Sequence, residues 1–138
     1  MIRASRYHDI SCGHRVHGHE GKCQHLHGHN YRIHFHCTAD ALDRIGRVID
    51  FSVIKERLAM WCEDQWDHKF LVCGQDPLAG SLKALDGTVV ILPFNPTAEN
   101  LAQYLVEVVG PMQLTGTGVV LQSVTIEETA KCHATFCL

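Results

Sequence analysis

The chain has 138 residues, of which 46% are apolar and 20% charged, and a net charge of −3. That is enough for one domain with a real core, taken as a single unit over 1–138. The weak negative charge, with no long block of one sign, excludes a broad electrostatic attraction to nucleic acid, and no apolar run approaches the ~18 residues of a membrane span.

The first segment, 2–13, predicts a strand with Ile10, Cys12 and His14 on one face. The stretch Met1-Ile2-Arg3-Ala4-Ser5-Arg6-Tyr7 lacks the apolar core expected of a secretion signal. The seven cysteines, at 12, 23, 37, 62, 73, 132 and 137, show no CxxC pair, so free thiols in a reducing cytoplasm are expected. Residues 15–26 are polar, contain Gly18 and Gly21, and predict a loop. Residues 29–39 alternate with period two: His29, Tyr31, Ile33, Phe35 and Cys37 share one face, and Asn30, Arg32, His34, His36 and Thr38 the other. Ser52 can cap a helix running to about Trp66, with Ile54, Leu58, Trp61 and Cys62 on its apolar side. Asp86-Gly87 predicts a turn before a minor strand at 88–92. Thr97 can cap a second helix, with Leu101, Tyr104, Leu105, Val108 and Val109 at helical spacing and Gly110-Pro111 as its stop. Residues 118–129 predict a strand and 132–138 its hairpin partner. The order β-β-α-α-β-β argues for an α+β fold with an antiparallel sheet.

Seven of the eleven histidines fall between His8 and His29. His27 and His29 stand two apart at the start of a strand, so alternation points both to one face. His14, at the end of the preceding strand, is the best third ligand. Three neutral imidazoles suit Zn²⁺ and leave a fourth position for water or substrate. A closed four-ligand site with Cys23 on the metal, a purely structural zinc staple, is equally compatible with the spacing. His17, His19 and His25 are competing ligands. His34 and His36 form a second pair with the opposite parity.

Cys23 lies four residues before a presumed ligand, where a nearby dication would favour the thiolate. The other cysteines read as small buried core residues. Asp67-His68 could polarise an imidazole for proton transfer. On the strand 118–129, Glu128 shares parity with Val120, Val124 and Ile126, as does the polar Gln122. Glu128 is therefore expected to point inward and Glu127 outward. A buried carboxylate needs N–H donors or a cation, and a ligand with adjacent N–H groups would supply them.

Six motifs in order, Gly13-His14-Arg15, Cys23-x-x-x-His27-Gly28-His29, Val48-Ile49-Asp50-Phe51, Trp66-Asp67-His68, Asn95-Pro96-Thr97-Ala98-Glu99-Asn100 and Glu127-Glu128-Thr129, resemble the 6-pyruvoyl-tetrahydropterin synthase / 6-carboxy-tetrahydropterin synthase family. The resemblance implies a tunnelling fold: a four-stranded antiparallel sheet with two helices on one face, assembled as two stacked trimers with active sites between subunits. It implies zinc on His14, His27 and His29, Cys23 as general base, and His68 with Asp67 as a proton relay from a neighbouring subunit. Glu128 would anchor the pterin, and Thr97 and Glu99 would shape its pocket. One branch eliminates triphosphate from 7,8-dihydroneopterin triphosphate and leaves a pyruvoyl side chain. The other yields 6-carboxytetrahydropterin, acetaldehyde and triphosphate on the route to queuosine and other 7-deazapurines. Three residues between Cys23 and His27 resemble the carboxy branch. Ile10, Cys12-Gly13, Ala98 and the long 72–92 stretch depart from the family pattern. For the triphosphate, Arg15, Lys22, Lys55 and Lys131 are candidates of equal standing.

Overall fold

A computed structural model describes residues 1–138. Its centre is a pair of long antiparallel strands, β1 (Ala4–His14) and β2 (His27–Ala39), matched from Ala4 opposite Cys37 to His14 opposite His27. Alternation decides which side chains reach the core. Ile10, Cys12 and His14 of β1 and Tyr31, Ile33, Phe35 and Cys37 of β2 are buried, whereas Tyr7, Asn30 and Arg32 are exposed. Both strands extend beyond the expected limits at the end that carries the histidines.

The first long helix, α1, spans 51–65. Its N-cap is Asp50 rather than Ser52: the Asp50 carboxylate accepts from the Ser52 N–H at 2.8 Å. After β3 (Phe70–Cys73) come α2 (Ala79–Leu85) and β4 (Val90–Leu92). The second long helix, α3, spans 98–113, followed by β5 (Val119–Glu127) and β6 (His133–Cys137). Thr97 caps α3, its hydroxyl accepting from the Asn100 N–H.

The four-stranded antiparallel sheet expected from the sequence is in fact a mixed sheet of six strands, in the order β4-β3-β1-β2-β5-β6, and there are three helices rather than two. The expected β-β-α-α-β-β frame is present; β4 is the minor strand expected at 88–92, and β3 and α2 are added with it at one edge. β3 runs parallel to the end of β1, Gly13 opposite Phe70 and His14 opposite Leu71, and β4 runs parallel to β3. Phe70-Leu71-Val72-Cys73 is a short apolar run without alternation. Such a run marks a strand covered on both faces and carries no periodic signal.

Both long helices use strict four-residue spacing: Ile54, Leu58, Cys62 and Trp66 in and just beyond α1, and Leu101, Leu105 and Val109 in α3, are buried. A straight α-helix would drift by about 40° over each such step. A wider π turn in the middle of each helix, Lys55–Ala59 and Leu105–Val109, absorbs that drift. It also turns Val106 inward and leaves Val108 exposed, against the simple helical expectation. Gly110-Pro111 does not stop α3. Pro111 follows the π turn, where the hydrogen-bond ladder is already offset, and Gly110 serves close packing, since a Cβ there would lie 2.8 Å from the Leu121 Cβ.

In β5 the pairing slips by one residue: His36 faces Ser123 and Cys37 faces Leu121, so Gln122 is bulged. The bulge resolves the mixed parity of this strand. Leu121, Val124 and Ile126 are buried, and Val120, expected inward, is exposed. No helix is long and apolar enough to cross a membrane.

Candidate active site and metal centre

The end of β1 and the start of β2 bring three imidazoles together. His14 and His27 are a directly opposed cross-strand pair, and His29 follows two residues along the same face. One ring nitrogen from each lies within 4.8 Å of the others. His14 Nδ1–H donates to the Pro96 carbonyl at 2.7 Å, and His27 Nδ1–H to the His25 carbonyl at 2.8 Å. Because a carbonyl only accepts, both rings are held in the tautomer that leaves Nε2 as a lone pair. Those two Nε2 atoms face each other at 3.0 Å. His29 Nε2 is buried without any hydrogen-bond partner. Burial, above all, lowers the pKa of His14 and of His29, favouring the neutral, metal-binding form. Converging lone pairs and an orphaned buried nitrogen are the arrangement a divalent cation satisfies.

His17, His19 and His25 do not join this group. The Asn95 side chain holds His17 through both of its backbone polar groups, at 3.0 and 2.9 Å, and His19 Nδ1 accepts from the Gly21 N–H. His34 and His36 stack with each other on the opposite face, where His34 pairs with Glu127.

Glu128 lies just past β5 on the histidine side, its Oε1 3.6 Å from His14 Nε2 and 3.7 Å from His29 Nε2. The Glu128 N–H donates to the Cys132 carbonyl, which closes the hairpin behind it. Tyr31, two residues beyond His29 on the same face, places its hydroxyl 3.2 Å from His14 Nδ1. Burial first, then the charges of Cys12, Glu128 and Cys23, push its pKa far up, so it is a neutral phenol. Tyr31 belongs to the site by strand parity, a signal that sequence reasoning assigns only to the core.

Cys23 sits half-buried on a single 3₁₀ turn, Lys22–Gln24, within the loop between β1 and β2. Its sulfur is not among the clustered donor atoms. Of the other cysteines, 12, 37, 62 and 73 are buried, as expected for core residues, but Cys132 and Cys137 are exposed on or beside the edge strand β6.

Asp67 and His68, adjacent in sequence, do contact each other: His68 Nδ1–H donates to Asp67 Oδ2 at 2.7 Å. Asp67 Oδ1 accepts from the Ser11 N–H, and the His68 N–H donates to the Ser11 carbonyl. Burial alone would raise the Asp67 pKa, and these donors overcome it and hold it low. His68 takes a left-handed backbone conformation, φ 58°, uncommon for a non-glycine residue, and its side chain is 82% exposed. It borders a polar groove of about 500 Å³ together with Ser11, His29, Asn30 and Lys69. Thr97 spends its hydroxyl on the helix cap, and Glu99 is exposed in the first turn of α3. Of the basic candidates for a triphosphate, Arg15 is already engaged by Asp76 and by the Gln24 carbonyl, while Lys22, Lys55 and Lys131 are exposed and free of such ties.

The family model described as 6-pyruvoyl tetrahydropterin synthase matches residues 3–137. The chain belongs to this family. It is 33% identical to a 6-carboxy-5,6,7,8-tetrahydropterin synthase of Rickettsia felis over 96% of this chain and 97% of that one. The corresponding protein of Rickettsia typhi is 34% identical over the same shares. Among solved structures, the 6-pyruvoyl tetrahydropterin synthase of Caenorhabditis elegans superposes with a TM-score of 0.70 at 26% identity, covering 99% and 95% of the two chains. An uncharacterized protein of Wolinella succinogenes reaches 0.85 at 24% identity, covering 99% and 97%, and shares the fold.

Proposed function

We propose that this chain is a zinc-dependent 6-carboxy-5,6,7,8-tetrahydropterin synthase of the route to queuosine and other 7-deazapurines. It would convert 7,8-dihydroneopterin triphosphate to 6-carboxytetrahydropterin, acetaldehyde and triphosphate. The observation that carries this reading is the convergence of His14, His27 and His29 with the Glu128 carboxylate on one face of the sheet. The three-residue spacing between Cys23 and His27 and the naming of the Rickettsia relatives favour the carboxy branch over the pyruvoyl branch.

His14, His27 and His29 would hold a zinc ion, which when bound would supply Lewis-acid polarisation of the side-chain oxygens of the pterin. Pro96 and His25 keep two of the imidazoles in the ligating tautomer. Glu128 accepts the paired N–H groups of the 2-amino-pyrimidinone edge, a match of two acceptor oxygens to two donors. Cys23 takes and returns the proton at the pterin side chain. Asp67 orients His68, whose exposed imidazole relays that proton into the site of a neighbouring subunit. This reading requires a homo-oligomer, a hexamer of two stacked trimers, with the substrate between protomers in the cytoplasm. Thr97, as the cap of α3, and Glu99, in its first turn, would shape the pterin pocket.

The test is incubation of zinc-loaded protein with 7,8-dihydroneopterin triphosphate, followed by assay of acetaldehyde and triphosphate. Triphosphate with a pyruvoyl pterin but no acetaldehyde moves the protein to the sister branch. A non-catalytic zinc staple predicts that Cys23→Ala loses metal and fold. The proposed enzyme keeps both in that variant and loses turnover.

A further inference from the structure

We propose that Arg15 and Asp76 are positioning residues that hold the Cys23 turn against the three-histidine site. This rests on the reading of Cys23 as the base. Arg15 directly follows the ligand candidate His14. Its Nε–H donates to Asp76 Oδ2 at 2.6 Å, and its Nη1–H donates to the Gln24 carbonyl at 2.6 Å. One guanidinium therefore joins three segments: the end of β1, the turn that carries Cys23, and the loop after β3.

The Asp76 side chain has no exposed surface, and its second oxygen accepts from the Leu78 N–H at 2.8 Å. Both carboxylate oxygens are thus satisfied, and the acid is fixed before it meets Arg15. A planar guanidinium offers two donors at a set angle, which a lysine ammonium cannot reproduce. On the turn itself, a second tie between Cys23 and the end of β1 runs from the Val16 N–H to the Cys23 carbonyl, 2.8 Å. The turn is short, contains no buried residue and has no side-chain cap. Packing therefore does little to place the sulfur, and the Arg15 bridge adds to the Val16–Cys23 hydrogen bond the side-chain restraint on the turn. A proton-transfer group displaced by about 1 Å can lose about 100-fold in rate. The same engagement removes Arg15 from the cations free to hold a triphosphate.

The test uses the zinc-loaded full chain and steady-state kinetics on 7,8-dihydroneopterin triphosphate. The variants are Asp76→Asn, Asp76→Glu and Arg15→Lys, with Cys23→Ala as reference. Asp76→Asn and Arg15→Lys are expected to lower kcat about 10- to 100-fold, with KM within about twofold and unchanged zinc stoichiometry. Asp76→Glu, which keeps the carboxylate, should recover part of kcat. Alkylation of Cys23, followed by peptide mass mapping, should quicken in Asp76→Asn as the turn loosens. If Asp76→Asn does not fold, Arg15→Lys carries the test alone. An inactive Cys23→Ala beside variants of wild-type kcat overturns the positioning role. A rise in KM without a fall in kcat overturns it too, and returns Arg15 to substrate binding. An active Cys23→Ala instead refutes the base assignment beneath it.

Discussion

His29 offers the sharpest test of the metal centre. Its Nε2 is buried and unpartnered, so in metal-free protein His29→Ala relieves a buried polar atom without breaking a hydrogen bond at that nitrogen. An unsatisfied group of that kind costs about 1–3 kcal/mol, which offsets most of the packing that the ring supplies. Metal-free wild type and variant should therefore agree within about 1 kcal/mol. With metal the two diverge. A site saturated at a hundredfold excess over Kd stabilises the native state by about 2.7 kcal/mol. For 138 residues the unfolding entropy is about 0.29 kcal/mol/K, so zinc should raise Tm by about 9 °C. The assay is thermal unfolding of both proteins, chelated and zinc-loaded, at one protein concentration. Wild type should shift by about that amount and His29→Ala far less. A full shift in the variant, or none in wild type, would refute the assignment of these three imidazoles as a metal site.

Other consequences are open to simpler measurements. Gly110→Ala should destabilise by about 1–2 kcal/mol in chemical denaturation, because crowding against Leu121 outweighs the helix propensity of alanine. The buried Asp76 carboxylate is held below its ordinary pKa: burial alone would raise it, and the Arg15 and Leu78 donors overcome that. Its contribution is therefore complete above about pH 4 and lost as pH falls through the lower folded value. Asp76→Asn should cost about 3 kcal/mol at neutral pH, with the gap to wild type narrowing in acid. Cys12 and Cys37, pushed up to about 12 by burial, should resist alkylation under native conditions while Cys132 and Cys137 react. Peptide mapping after a short iodoacetamide pulse checks this.

The sequence discloses those parts of the molecule that obey a local period. β1 and β2 alternate over many residues, so the shared face of His14, His27 and His29 can be read directly. Parity places Glu128 as well, although the strand holds a bulge. The bulge at Gln122 precedes Val124, Ile126 and Glu128, so their common phase survives it, and only Val120 falls on the wrong face. What escapes has no period. β3 is an apolar run of four residues, α2 is a seven-residue helix without a side-chain cap, and both π turns arise from packing against the sheet. The Arg15–Asp76 bridge spans 61 positions and leaves no local trace.

The segment that carries β3 is also what steadies the site. β2 pairs with one edge of β1, and residues 67–76 occupy the other edge just where His14 must be held. Asp67 and His68 take both backbone groups of Ser11, β3 pairs with Gly13 and His14, and Asp76 grips Arg15. The approach is so close that a Cβ on Gly13 would fall 2.5 Å from the Phe70 ring. Glycine at this position follows from the docking of β3 rather than from a turn. A strand end fixed on both edges cannot fray, and a histidine on a fraying end could not keep its Nε2 3.0 Å from that of His27. The addition to the four-stranded frame therefore acts as a brace for His14, the first of the three proposed metal ligands, and through Arg15 it extends the same restraint to the loop that carries Cys23.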